Sequence, residues 1–174
     1  DASATALYGS RASNGVLIIT TKKGVKGKLR YGYATQANLG QVTKTVDVLS
    51  ADQLRKIITD DAAATGLNTW KNQLGTANTD WQKLIYQDAF GWDNTLSMSG
   101  AIGGVIPFRL SGGVLTQDGI LKTDKFNRYT SSLSLSPKFF DDHLSVIVNA
   151  KLKKTKNRFA DGGAVGSAAS FAPT

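Results

Sequence analysis

The chain has 174 residues, 41% of them hydrophobic, and a formal net charge of +8. Its longest apolar run is Val16-Leu17-Ile18-Ile19, far short of the roughly 20 residues a membrane helix needs, so a helical span is excluded. With no cysteine, neither disulfides nor thiolate metal centres hold the fold, and 18 Gly against three Pro, with abundant Ser and Thr, favours β structure rich in turns.

The first stretch, residues 1–24, reads as the tail of a helix, a glycine stop, a polar loop and a short strand. Ala2, Ala4 and Ala6 are helix formers, Gly9 follows Leu7-Tyr8 as a C-terminal cap, and Asn14-Gly15 is a turn pair. Residues 16–21 are apolar on both parities, as in a strand covered on both faces, and Lys22-Lys23-Gly24 ends them with charge. A chain that opens inside a helix is expected to be an internal fragment, so the lack of a signal peptide carries no information.

Residues 24–28 form a basic, glycine-rich linker. Leu29, Tyr31, Tyr33, Ala37 and Leu39 then alternate with Arg30, Gly32, Ala34, Gln36 and Asn38. That is a strand between two different solvents, with tyrosines where an interfacial girdle would lie. Residues 41–89 are a long excursion. Ser50-x-x-Gln53 is a capping box opening a helix with Leu54, Ile57 and Ile58 on one face, and Gly66 stops it. Thr79-x-x-Gln82 reads as a second capping box, with Trp81, Leu84 and Ile85 on one stripe. Residues 66–78 read as loop.

From Gly91 onward the pattern is of hairpins. Leu96, Met98 and Ile102 share one parity, and Gly103-Gly104 makes a tight turn. Ile106, Phe108, Leu110 and Val114 follow, then a polar loop at 116–125. Tyr129, Leu133 and Leu135 alternate with Arg128, Thr130, Ser132 and Ser134, and a turn spans 137–143. Leu144, Val146, Val148, Ala150 and Leu152 make the last apolar stripe, with Ile147 as the misfit, and residues 159–174 read as a Gly/Ala/Ser-rich loop. Connections run long (41–90), short (103–104), medium (116–125), short (137–143) and long (159 onward). Such alternation fits a membrane barrel, with short turns on one side and longer loops on the other.

The string of the first stretch closely resembles the end of the plug domain in the SusC/RagA family of TonB-dependent outer-membrane transporters. The resemblance rests on Asp1, Ala2, Ser3, Ala4, Tyr8, Gly9, Arg11, Asn14, Gly15, Val16, Thr20, Lys22 and Gly24. It continues through Asn78-Thr79-Asp80-Trp81-Gln82, Leu96-Ser97-Met98-Ser99-Gly100, Gln117-Asp118-Gly119-Ile120 and Phe126-Asn127-Arg128-Tyr129. It implies a mainly β fold: the C-terminal part of a plug domain (1–24), then about the first five antiparallel strands of a large transmembrane β-barrel (25–174). The long loop at 41–90 would hold short helices. Such barrels close about 22 strands around a plugged lumen.

The function implied is active uptake of an oligosaccharide or peptide across the outer membrane of a Gram-negative, Bacteroidetes-like cell. A SusD-like surface lipoprotein would cap the outer mouth, and the TonB-ExbB-ExbD complex would supply energy through regions absent here. Transport by this chain alone is not expected. With the first strand starting at the periplasm, 41–89, 116–125 and 159–174 fall outside the cell. The competing reading is a soluble or secreted all-β binding module, carbohydrate-binding or adhesin-like, whose apolar stripes meet another layer of protein.

Candidate chemistry is sparse. The single histidine, His143, is expected to be a turn residue, because no metal or triad partners cluster near it. Asp60-Asp61 and Asp141-Asp142 are adjacent pairs whose side chains diverge. The sequence 24–28 faintly resembles a phosphate loop but lacks its Lys-Ser/Thr end and a following helix. Arg11 is expected to help seat the plug on the barrel wall. Among the tryptophans, Trp92 suits a membrane-interface belt and Trp81 a packed helix face, while Trp70 could stack on a sugar. The basic clusters at 22–30 and 151–158 suit a barrel rim or polar lumen better than nucleic acid. No enzyme, cofactor or metal site is expected.

Overall fold

The computed structural model describes residue 17, residues 21–141 and residues 143–174. The helix tail, glycine stop, turn pair and most of the strand expected in the first stretch lie outside the described residues. Among those described, the elements are β1 (Arg30–Gly40), α1 (Ala51–Thr65), a 3-10 turn (Lys71–Gln73), α2 (Trp81–Ile85), β2 (Ala89–Ile102), β3 (Ile106–Asp118), β4 (Lys125–Leu135), β5 (Lys138–Phe139), β6 (Leu144–Ser145), β7 (Val148–Arg158) and α3 (Gly163–Ser170). One antiparallel sheet has the order β1-β2-β3-β4-β7, and β5 pairs with β6 in a miniature hairpin. Each long strand therefore pairs with the next in sequence, as the period-two pattern predicts.

The alternation becomes two unlike faces. On the apolar parity Tyr31 is 70% exposed, Leu96 59% and Leu152 75%, and Tyr33, Leu39, Trp92, Leu110, Val114, Tyr129 and Val148 are also exposed. Among the described residues, no second layer covers this stripe. The buried hydrophobic residues among those described are Ala51, Ala62, Ala89 and Ala168, and no large side chain is fully enclosed. A core in the sense of a water-soluble domain is therefore missing from the described sheet.

The residues divide into two compact units. One gathers Met98–Leu110 and Leu133–Ala150 with the lead-in to β1. It contains the β2–β3 turn, where Gly103 (φ 58°) and Gly104 (φ 73°) supply the two positive φ values of a tight hairpin. It also contains the β5–β6 hairpin, closed by Phe140 and Asp141 at positive φ. The other unit gathers Tyr31–Ser97, Ser111–Ser132 and Lys151–Thr174. It holds all three helices and the loop 119–124, which is stitched to the lead-in of β2 by the Tyr86–Leu121 bridge.

Several sequence expectations hold and several need correction. Ser50 and Gln53 do form a reciprocal capping box on α1, and Gly66 ends it with φ 76°. The second box does not form. Asp80 is the N-cap of α2, its carboxylate accepting from Lys83 N–H, and Leu84 is exposed rather than packed. Gln82 is diverted because its amide pairs with a distant backbone, described below. The Gly/Ala/Ser-rich tail contains α3, whose small residues let it lie close to α2.

The pattern of connections also differs. β3 runs on to Asp118 and β4 starts at Lys125, leaving 119–124 as the loop, whereas the turn expected at 137–143 occupies 136–147 and carries β5 and β6. Loop length therefore does not alternate as expected in the middle of the chain. The ladder continues through Thr116-Gln117-Asp118, where polar residues on both parities erase the contrast that marks a strand in sequence.

Candidate functional site

The polar face is kept low by glycines. Asn38 Nδ2 donates to Gln117 Oε1 at 2.9 Å, and the pair lies over Gly91, where any side chain would run into both amides. A β-carbon at Gly113 would crowd the hydroxyls of Thr95 and Thr130 at 3.2 and 2.8 Å. Ser111 and Ser132 share a hydroxyl bond of 2.7 Å, and Arg128 Nη2 lies 3.6 Å from Asp93 Oδ2. The serine hydroxyls thus join the neighbours β3 and β4, while the amide pair reaches from β1 to β3 across β2 and the ion pair from β2 to β4 across β3.

The apolar face handles its polar atoms differently. Tyr33 Oη donates to Asn94 Oδ1 at 2.6 Å, Thr35 Oγ1 donates to the same oxygen at 2.9 Å, and Trp92 Nε1 donates to Thr35 Oγ1 at 2.7 Å. Phe90 meets Trp92 edge to face at 6.1 Å. The aromatic rings stay exposed while their polar tips bond within the sheet, as a surface on hydrocarbon requires.

The helical loops form a third arrangement in the same unit as β1 from Tyr31 onward. Gln82 is buried, and its amide accepts from Val46 N–H at 2.9 Å and donates to Val46 C=O at 2.7 Å, standing in for a ladder partner of the extended segment 42–49. Trp81 packs edge to face on Phe171 at 6.0 Å and donates Nε1–H to Ala172 O at 2.9 Å, while Thr79 N–H bonds Pro173 O at 2.9 Å. Arg55 bonds Gly75 O and Ala77 O from α1. Between these pieces lies a crevice of about 370 Å³ lined by Asp47, Leu49, Asn78, Asp80, Trp81 and Phe171, among others. Two carboxylates, an amide and aromatic edges suit hydroxyl or peptide N–H groups.

His143 sits in its turn as expected, Nδ1 donating to Phe140 O at 2.6 Å, and no metal-holding cluster exists among the described residues. Asp60 and Asp61 are exposed on α1, and Asp141 is exposed in a turn. Residues 24–28 are irregular chain with no helix after them. Trp70 is exposed, whereas Trp81 has its ring against Phe171. Of the signature residues, Asp1 to Thr20, Arg11 included, lie outside the described residues; Lys22 is exposed and Gly24 half-buried. Sequence reasoning missed Gln82, Gly91 and Gly113, whose roles depend on neighbours far away in the chain.

No family model matches the chain. It is 44% identical over 180 aligned residues to the TonB-dependent receptor SusC of Bacteroides thetaiotaomicron, covering all of this chain and 17% of that protein. The TonB-dependent receptor P3 of Formosa agariphila is 36% identical over 132 residues, 75% of this chain and 12% of the relative. The chain thus spans less than a fifth of the curated relatives it matches. Among solved structures, the RagAB peptide importer superposes in its open-open state with a TM-score of 0.68 and in its closed-closed state with 0.69. Identity is 24% in both, over 92% and 93% of this chain and 21% and 22% of that one, which speaks for the fold alone.

Proposed function

The chain is a segment of a SusC/RagA-type TonB-dependent receptor, and from that premise we propose that it serves nutrient uptake across a bacterial outer membrane. In this reading residues 1–24 close a plug domain and residues 25–174 open the barrel wall. The observation that carries it is the bare apolar stripe: exposed Tyr31, Leu96, Val114 and Leu152 stand opposite a face of bridged amides and hydroxyls. In water, such a stripe costs about 25 cal/mol for each Å² left uncovered, whereas in lipid it is the stable state. A soluble module would need a second layer over the stripe.

The ligand is an oligosaccharide or a peptide, as the receptor type implies. The loop crevice beside Trp81 offers groups suited to either. A SusD-like lipoprotein covers the outer mouth, and TonB-ExbB-ExbD acts on parts of the receptor upstream of this chain. Ligand moves when the plug is displaced, so the segment contributes wall and loops rather than chemistry.

Topology provides the test. In a cysteine-free whole receptor on intact cells, a cysteine at Lys122 should react with a membrane-impermeant maleimide, and one at Phe140 should react only after the membrane is breached. The reverse pattern overturns the orientation. Labelling of both, with the receptor in the soluble fraction, overturns the membrane reading.

A further inference from the structure

The polypeptide leading into β1 makes one contact that neither the family likeness nor the barrel reading assigns. Gly24 is half-buried, and a β-carbon built on it would overlap the backbone N, C and O of Phe108 in β3. Its φ lies outside the left-handed region, so the missing side chain, rather than backbone freedom, is what the site requires. The Phe108 ring is elsewhere: with Leu29 it lies over Gly100, at 3.4 and 3.1 Å from that residue's added β-carbon. Gly24 therefore meets Phe108 from the side its ring does not occupy.

The surroundings place that side on the polar face. Gly24 lines a crevice of about 340 Å³ with Lys23, Lys26, Pro107, Ser136 and Ile147, among others. Pro107 and Ser136 are on the polar parity and are joined by Ser136 N–H to Pro107 O at 2.9 Å. Ile147, the misfit in the apolar alternation, gains a role here as apolar lining on that same side.

We propose that Gly24 is a seat: a backbone-to-backbone contact on Phe108 that holds the junction flat on the polar face and fixes where the upstream segment leaves the sheet. Under the uptake reading, on which this role depends, the seat anchors the plug-to-barrel junction against the pull that opens the pore. Gly24 is then a positioning residue, binding nothing itself.

Lys22, Lys23, Lys26 and Lys28 make the junction a tryptic target, so the seat has a readout independent of transport. In the whole receptor purified in detergent, Gly24→Val should raise tryptic cleavage at these lysines by at least about tenfold, with Gly24→Ala between it and wild type, since a forced backbone shift raises the open population. Phe108→Leu should leave protection intact, because the three atoms nearest the added β-carbon all belong to the Phe108 backbone. Gly162→Ala, where an added β-carbon meets nothing, is the neutral control. Failure of Gly24→Ala to yield a folded receptor, with Gly162→Ala folding normally, also supports the seat. Folded Gly24→Val cleaved at the wild-type rate overturns it. Reversed maleimide labelling with the glycine effect intact would instead overturn the uptake topology and leave the seat standing.

Discussion

The two faces of the sheet solve opposite problems with the same backbone. On one, large side chains stand free and their few polar tips are bonded inward, as in Tyr33 and Thr35 on Asn94. On the other, glycines clear room so that side chains from the strands on either side meet across the backbone, as Asn38 of β1 and Gln117 of β3 do over Gly91 of β2. Under the uptake reading, the first face suits a medium that cannot hydrogen-bond, and the second contact with water or a polar surface. The difference lies in solvent rather than in β propensity.

The sharpest way to break this comparison is a charge on each face. Leu96→Arg should lower the stability of the folded receptor by about 2–4 kcal/mol if the residue sits near the bilayer midplane. Ser134→Lys, on the opposite parity, should stay within about 0.5 kcal/mol. Heat-modifiable mobility and denaturant midpoints in detergent or liposomes measure both. If the sheet were instead water-soluble, Leu96→Arg at a 59% exposed position would be neutral.

A second pair uses glycines. Gly91→Val forces a side chain into the Asn38 and Gln117 amides and should cost about 1–3 kcal/mol. Gly112 has only Thr130 O near its added β-carbon, at 3.9 Å, and lies on the apolar parity. Gly112→Val should therefore be neutral or slightly stabilising by the same denaturant assay. Equal costs at the two glycines would mean that the faces do not differ as described.

How far the sequence reveals this depends on how far apart each contact reaches. Strands with an apolar stripe, such as β1 and β2, were legible because period two survives in any sheet. The ends of β3 and β7 were not: Thr116-Gln117-Asp118 and residues 154–158 are polar on both parities, so nothing marks where the ladder stops. Ser50 could be read as a cap because its partner is three residues away. Gln82 could not, because Val46 competes for its amide across the loop and Asp80 takes the cap instead of Thr79. α3 has no polar–apolar stripe to announce it and owes its place to packing on α2. Of the candidate site, Trp81 was expected on a packed face, but the crevice needed Phe171 and Pro173 brought from the far end of the chain.

Smaller effects sharpen the contrast further. Tyr33→Phe removes one of the two hydrogen bonds that Asn94 Oδ1 accepts and keeps the ring. It should cost about 0.5–1.5 kcal/mol by denaturant midpoint. Because the lost bond joins two uncharged groups, the cost should be the same at low and high salt.

The ion pair on the polar face should behave differently. Asp93 and Arg128 are more than a third exposed at 3.6 Å, so Asp93→Asn should cost only about 0–1 kcal/mol and lose even that in high salt. The outcome also reports on what covers this face in the whole receptor. A wet lumenal wall gives the small, salt-sensitive value. If an upstream domain pressed the pair into a dry contact, removing one partner would strand a buried charge and cost about 3–5 kcal/mol, insensitive to salt. The small value is expected here, because both side chains of the pair are more than a third exposed.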